Sequence, residues 1–165
     1  MTKRIAMYAG SFDPITLGHI AIVRQALDLF DFVHVASGVN PDKKSGLFDH
    51  AERLKLMKGA IHEARLDLKR VGVSSYSGSI IKHARELSAT VLVRGFRQVS
   101  DFDAEFKLHG VMEQVAPDLP MVHLICKQKF LFVSSSTAKE LASIGEDMSW
   151  LVTDNVASAL KEKFS

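Results

Sequence analysis

Tyr8-Ala9-Gly10-Ser11-Phe12-Asp13-Pro14-Ile15-Thr16-Leu17-Gly18-His19 is the stretch whose reading decides the fold. An apolar run leads into it, Gly10, Pro14 and Gly18 punctuate it, and helical periodicity begins just after His19. A strand, a glycine-bearing loop and a helix start in that order form a natural phosphate site. Glycine lets backbone approach a polyanion closely, and a helix N-terminus offers unpaired N–H groups and about half a positive charge. His19 adds a side-chain donor at that spot. The plainer reading is that the glycines and proline shape a turn which Ser11, Asp13 or Thr16 caps. That accounts for the turn and leaves His19 unexplained.

Short apolar runs at 4–9, 32–39, 69–75, 90–94 and 121–126 read as strands. Between them, Ile20, Val23, Leu27 and Phe30 recur at helical spacing, as do Leu54, Met57, Ile61 and Ala64. Further helices are expected over about 79–88, 102–115, 136–143 and 150–164. Strands alternating with helices predict an α/β fold, Rossmann-like and doubly wound: a five-stranded parallel sheet with helices on both faces. There is no internal repeat, low-complexity tract or long linker, so residues 1–165 are expected to form a single domain.

The chain has 165 residues, 47% of them hydrophobic, which is ample for a core. A formal net charge of +2, with 24% charged residues, gives no sign of a nucleic-acid or membrane surface. One cysteine, Cys126, lies in an apolar run, so no intrachain disulfide can form and a buried thiol is expected. The N-terminus lacks the apolar core of an export signal, and no apolar run is long enough to span a bilayer. The expected compartment is the cytoplasm. The histidines are scattered without ligand spacing, so no metal site built by the protein itself is expected.

In an open parallel sheet, ligands bind beyond the carboxyl ends of the strands where the strand order reverses. Those ends carry Gly10 and Ser11, then Lys43 and Lys44, then Arg94, Gly95, Phe96 and Arg97. The lysines alone fit a solvated loop, but Arg94 follows an apolar strand, where an unpaired guanidinium is costly. Such cations around one crevice suit several phosphates. Near the other end, Ser134, Ser135, Ser136 and Thr137 open a helix; one hydroxyl suffices for a cap, and the rest suggest a second phosphate contact. The P-loop and the dinucleotide glycine fingerprint are both absent, which weighs against kinase and dehydrogenase readings.

Four motifs in order, GSFDPIT, TLGH at 16–19, RGFR at 94–97 and VSSST at 133–137, resemble the HxGH nucleotidyltransferase superfamily. With Thr16 at the first position of the tetrapeptide, the chain is similar over essentially its whole length to bacterial pantetheine-phosphate adenylyltransferases. The resemblance implies transfer of AMP from ATP to 4′-phosphopantetheine, giving dephospho-CoA (dephospho-coenzyme A) and pyrophosphate, with Mg²⁺ arriving on ATP. It implies a homohexamer, with coenzyme A as a feedback inhibitor. By the same resemblance His19 stabilises the transition state, and Ser11, Lys43, Ile80 and Arg94 hold the acceptor. ATP would contact Ser11, Phe12, His19, Gly95, Phe96, Arg97, Glu105, Phe130, Leu131, Phe132, Val133, Ser134, Ser135 and Ser136.

The chain departs from the family pattern at Ala9, usually Pro, at Ser11, often Thr, and at Ser79, usually Leu; its KKSGLF loop is one residue longer than in some members. Two alternatives stay open. One is a sister nucleotidyltransferase with nicotinamide mononucleotide or an alcohol phosphate as acceptor, though many of those keep His at the position of Thr16. The other is a non-catalytic nucleotide-binding or coenzyme A-sensing module on the same fold, since a fold alone establishes no activity.

Overall fold

Alternation along the first apolar run sends Ala6 and Tyr8 to one side and Met7 and Ala9 to the other, and all four are buried. Such a strand must lie inside a sheet covered on both faces. The computed structural model describes residues 3–39 and 46–165 and places that strand, β1 (Ile5–Gly10), at the centre. It pairs in parallel with β2 (Phe32–Val39) on one side and β4 (Val91–Phe96) on the other. Outside these lie β3 (Val71–Ser77) and β5 (Met121–Ile125), also parallel, so the order is β3-β2-β1-β4-β5. The chain order reverses between β1 and β4, where a ligand crevice is expected.

One core layer joins Ala6, Tyr8, Val33, Val35 and Val93 to four helices: α1 (Leu17–Leu29), α2 (His50–Glu63), α5 (Ser135–Ser143) and α6 (Asp154–Phe164). The other layer joins Met7, Ala9, Leu92 and Met121 to α3 (Ile80–Glu86) and α4 (Val99–Val115). The doubly wound sheet read from the sequence is therefore the architecture found. Among the described residues no helix is long and apolar enough to cross a membrane.

Local chemistry sets the helix starts. Asp49 accepts from the Glu52 N–H while Glu52 accepts from the Asp49 N–H, both at 2.8 Å, a reciprocal cap that begins α2. Ser79, one of the departures from the family pattern, caps α3 by accepting from the Lys82 N–H. Several boundaries differ from expectation, three of them at the starts of elements. Strand β3 begins at Val71 instead of 69, helix α4 at Val99 instead of 102, and helix α6 at Asp154 instead of 150. Before α6, buried Leu151 and Val152 sit in a turn whose apolar spacing imitates a helix, and Thr153 is the true N-cap.

Gly95 fixes how closely α1 packs on the sheet. A Cβ at this position would stand 2.8 Å from Ile22 Cγ1 and 3.0 Å from its Cδ1, so Ile22 occupies the space a side chain would need. Gly95→Ala is expected to cost about 1–3 kcal/mol by overpacking. In urea melts the double variant with Ile22→Ala should lose clearly less than the two single losses added together. Strict additivity would show that the two positions do not compete for the same volume.

Candidate active site

The reversal point is where β1 runs into the 11–16 loop and α1. Thr16 caps the helix: its Oγ1 lies 3.4 Å from the His19 N–H, and its own N–H donates to His19 Nδ1 at 3.0 Å. A nitrogen that accepts a backbone N–H carries no proton, so neutral His19 holds its proton on Nε2. Burial, aided by the nearby Arg97 charge, lowers His19 to about 4, and near neutral pH it is therefore an uncharged N–H donor. Phe12 fixes the ring from beneath. Its centroid is 5.0 Å from His19 in an edge contact, its side chain is 1% exposed, and its backbone is left-handed at φ 46°.

His19 lines a crevice of about 380 Å³ together with Ser11, Thr16, Gly18, Gly95, Arg97, Asp101, Glu105 and residues 133–136. Two helix N-termini meet there, those of α1 and α5. Ser134 caps α5 by accepting from the Thr137 N–H at 3.0 Å, and Ser135 Oγ donates to Pro14 O at 2.8 Å, tying α5 to the loop. Among the described residues, the N–H groups of Gly18, Ser135 and Ser136 have no protein acceptor. That is a cradle of free donors facing one volume.

The two arginines of RGFR are already engaged. Arg97 donates from Nη1 to Val133 O at 3.0 Å, and its Nε lies 3.5 Å from Asp101. Arg94 grips Glu105 with two nitrogens, at 2.9 and 2.5 Å, and donates from Nη1 to Ala9 O at 2.7 Å. Burial opposes the Arg94 charge, but Glu105 more than offsets it and holds the guanidinium more firmly protonated than usual.

Ser11, His19, Gly95, Arg97, Glu105, Val133, Ser134, Ser135 and Ser136 are thus brought together as expected. Other expected residues stand apart. Arg94 sits behind Glu105, and the Phe12 ring is buried. Phe96 packs edge-on against Phe102, and Ile80 begins α3 against the second core layer. Phe130 closes a short 3-10 turn, Leu131 follows it, and Phe132 is 81% exposed. Lys43 and Lys44 lie outside the described residues. Tyr8, Ile22, Asp101 and Ala104 line the crevice without having been singled out. Of these, only Asp101 carried a legible signal, its place four residues after Arg97.

A family model described as cytidylyltransferase-like matches residues 7–141. The phosphopantetheine adenylyltransferase of Roseiflexus sp. (strain RS-1) is 42% identical over 160 residues, covering 97% of both chains. That of Thioalkalivibrio sulfidiphilus is 43% identical over 159 residues, covering 96% of this chain and 97% of its own. The chain belongs to the phosphopantetheine adenylyltransferase family. The fold is shared more widely. The nicotinic acid mononucleotide adenylyltransferase of Plasmodium falciparum superposes with a TM-score of 0.67 at 16% identity, over 98% of this chain and 96% of its own. The NMN adenylyltransferase/ADP ribose pyrophosphatase of Francisella tularensis reaches 0.74 at 14% identity, over 98% of this chain and 49% of its own.

In this member of the family the crevice wall is held by Asp13. Its buried carboxylate accepts from the N–H groups of Phe48 at 2.9 Å and Leu47 at 3.0 Å, and it pairs with Arg53 at 3.4 Å and Lys139 at 3.3 Å. Burial would raise Asp13, but those N–H groups and cations hold it below 3.8, the ordinary value for aspartate. A depressed carboxylate contributes stability that is fully present above its unfolded pKa and lost as pH falls through the folded one. Asp13→Ala should therefore cost about 3 kcal/mol in urea melts near pH 7, with the deficit shrinking below pH 3.8. A deficit unchanged across that window would mean that packing, and not charge, is what Asp13 supplies.

Proposed function

We propose that the chain transfers the adenylyl group of ATP to 4′-phosphopantetheine, giving dephospho-coenzyme A and pyrophosphate. The observation that carries the reading is His19: its own N-cap fixes the tautomer and leaves Nε2–H as the donor of a residue lining the crevice. An acceptor phosphate oxygen attacks the α-phosphorus of ATP, the bond to the β-phosphate oxygen breaks, and pyrophosphate leaves with that electron pair. The acceptor, with a second pKa near 6, is already a dianion at neutral pH, so the step needs no general base. Catalysis then lies in alignment and in neutralising charge on the α-phosphate, the work of His19 and the free N–H groups of Gly18, Ser135 and Ser136.

Arg97 and the 133–136 segment suit the ATP side, while Ser11, Arg94, Ile80 and Lys43 suit the acceptor side. Asp101 and Glu105 are both taken up by arginines, and among the described residues no cluster of acidic, histidine or cysteine side chains is arranged to cage a cation. Mg²⁺ in this reading enters held by the triphosphate, as part of the substrate. A cytoplasmic homohexamer regulated by coenzyme A completes the proposal. Helix α4 supports an assembly: Phe102, Phe106, Val111 and Val115 are all exposed on it, at 48–66%.

The test is purified protein with ATP, Mg²⁺ and 4′-phosphopantetheine, read by mass for dephospho-coenzyme A, with nicotinamide mononucleotide as a parallel acceptor. Product from phosphopantetheine alone is expected. Product only from the other acceptor would overturn the substrate, and ATP binding without product would mark a binding module. His19→Ala should lower kcat about a hundredfold or more while leaving ATP affinity nearly intact. Unchanged turnover would remove His19 from the mechanism.

A further inference from the structure

His123 stands on β5 directly beside Arg94 on β4, the two residues being partners in the parallel register. Both face α4, where Glu105 bridges them. Both oxygens of its carboxylate accept from Arg94, Oε2 from Nε at 2.9 Å and Oε1 from Nη2 at 2.5 Å, and the same Oε2 lies 3.6 Å from His123 Nε2. That distance is just beyond hydrogen bonding, and Nε2 is a buried nitrogen with no other polar partner among the described residues. A buried imidazole nitrogen left unpaired against a carboxylate is poised for a bond it does not yet make. The other charged or titratable groups facing His123 are Arg94, from β4, and His109, from α4, whose ring centroid is 5.3 Å away and which itself pairs with Glu113 at 3.4 Å.

In this arrangement Arg94 cannot serve an acceptor phosphate at no cost. Its release would strand Glu105, 13% exposed, as a partly buried carboxylate without a counter-charge. We propose that His123 is a positioning residue for the acceptor site: it takes Glu105 over when the phosphate draws Arg94 away. The inference rests on the adenylyltransferase reading above. The exchange is balanced by one proton, taken by His123 Nε2 from solvent when the phosphate dianion engages Arg94 and returned when the product leaves.

The direction of the charges agrees. Burial keeps His123 below the ordinary histidine value against the pull of Glu105, with His109 and Arg94 adding to the depression. Once a dianion covers Arg94 and Glu105 loses that partner, two of the groups acting on His123 shift in favour of its charged form. Acceptor binding is thereby linked to proton uptake at a residue that touches neither substrate nor reacting atoms.

The test uses the full chain with 4′-phosphopantetheine at about pH 8, where a phosphate with a second pKa near 6 is already a dianion and takes up no proton itself. Isothermal titration in two buffers of different ionisation enthalpy should show proton uptake by the unmodified protein and none by His123→Phe. The same variant should raise KM for the acceptor about tenfold, the worth of one charged hydrogen bond, with kcat and KM for ATP little changed. His123→Gln, which keeps a donor but cannot titrate, should recover KM without recovering proton uptake. Uptake persisting in His123→Phe, or no uptake by the unmodified protein alongside normal turnover, overturns the role of His123 and leaves the adenylyltransferase reading standing. Failure of the unmodified protein to make dephospho-coenzyme A overturns both. Should His123→Phe not fold, proton uptake by the unmodified protein and the behaviour of His123→Gln still decide.

Discussion

One buried carboxylate holds together the pieces from which the crevice is made. Asp13 sits in the loop after β1, yet its oxygens bind the backbone before α2 and pair with Arg53 of α2 and Lys139 of α5. Arg53 extends the network by donating to the carbonyl groups of Phe48 and Ser11. Segments far apart in sequence thus share a single charge centre. The burial of an ion pair often brings little net stability, because desolvation offsets attraction, but the loss of one partner is severe. What such a centre supplies here is position: it fixes the 11–16 loop relative to α5, and both segments contribute lining to the crevice.

The cradle uses capping chemistry twice for two purposes. A helix N-terminus must satisfy its first N–H groups, and in α1 the Thr16–His19 pair does so reciprocally. That bond is structural by any local measure. It also decides which imidazole nitrogen carries the proton, and so makes a neutral donor of a residue whose burial already disfavours its charge. In α5 the division of labour is spatial. Ser134 spends its hydroxyl on the cap and Ser135 spends its own on Pro14, while the N–H groups of Ser135 and Ser136 stay free. Structure and function do not compete for the same atoms.

This sharing explains how much the sequence could show. The central strand, the reversal point and the helix starts follow from apolar periodicity and capping residues, so the sheet and the place of the crevice were legible. His19 stands out in the sequence because a glycine-bearing turn does not require it, although in the structure the helix cap does use it. Less legible was what each side chain would touch. Motif position alone does not show that the Phe12 ring supports His19, that the Phe96 ring meets Phe102, or that Gly95, which lines the crevice, also makes room for Ile22. Spacing along one strand cannot report on a side chain arriving from another element. For the same reason Asp13 read as one cap candidate among three, when its partners lie more than thirty positions away.

Arg94 shows the limit most clearly. From the sequence it is a cation at the end of a buried strand, and the costly alternative to binding a ligand is to remain unpaired. The folded chain removes that cost by supplying Glu105, so the Arg94 charge is neutralised within the chain. The consequence for recognition follows from mass action: a ligand that must displace an internal partner binds more weakly by whatever that displacement costs. A weakly charged anion cannot recover the cost of breaking a two-nitrogen grip on a carboxylate, whereas a phosphate dianion offers more charge and as many acceptors. On the function proposed above, selectivity for the dianion would arise from competition with Glu105 as much as from the shape of the crevice, and in the further proposal His123 beside that carboxylate would set how steep the competition is.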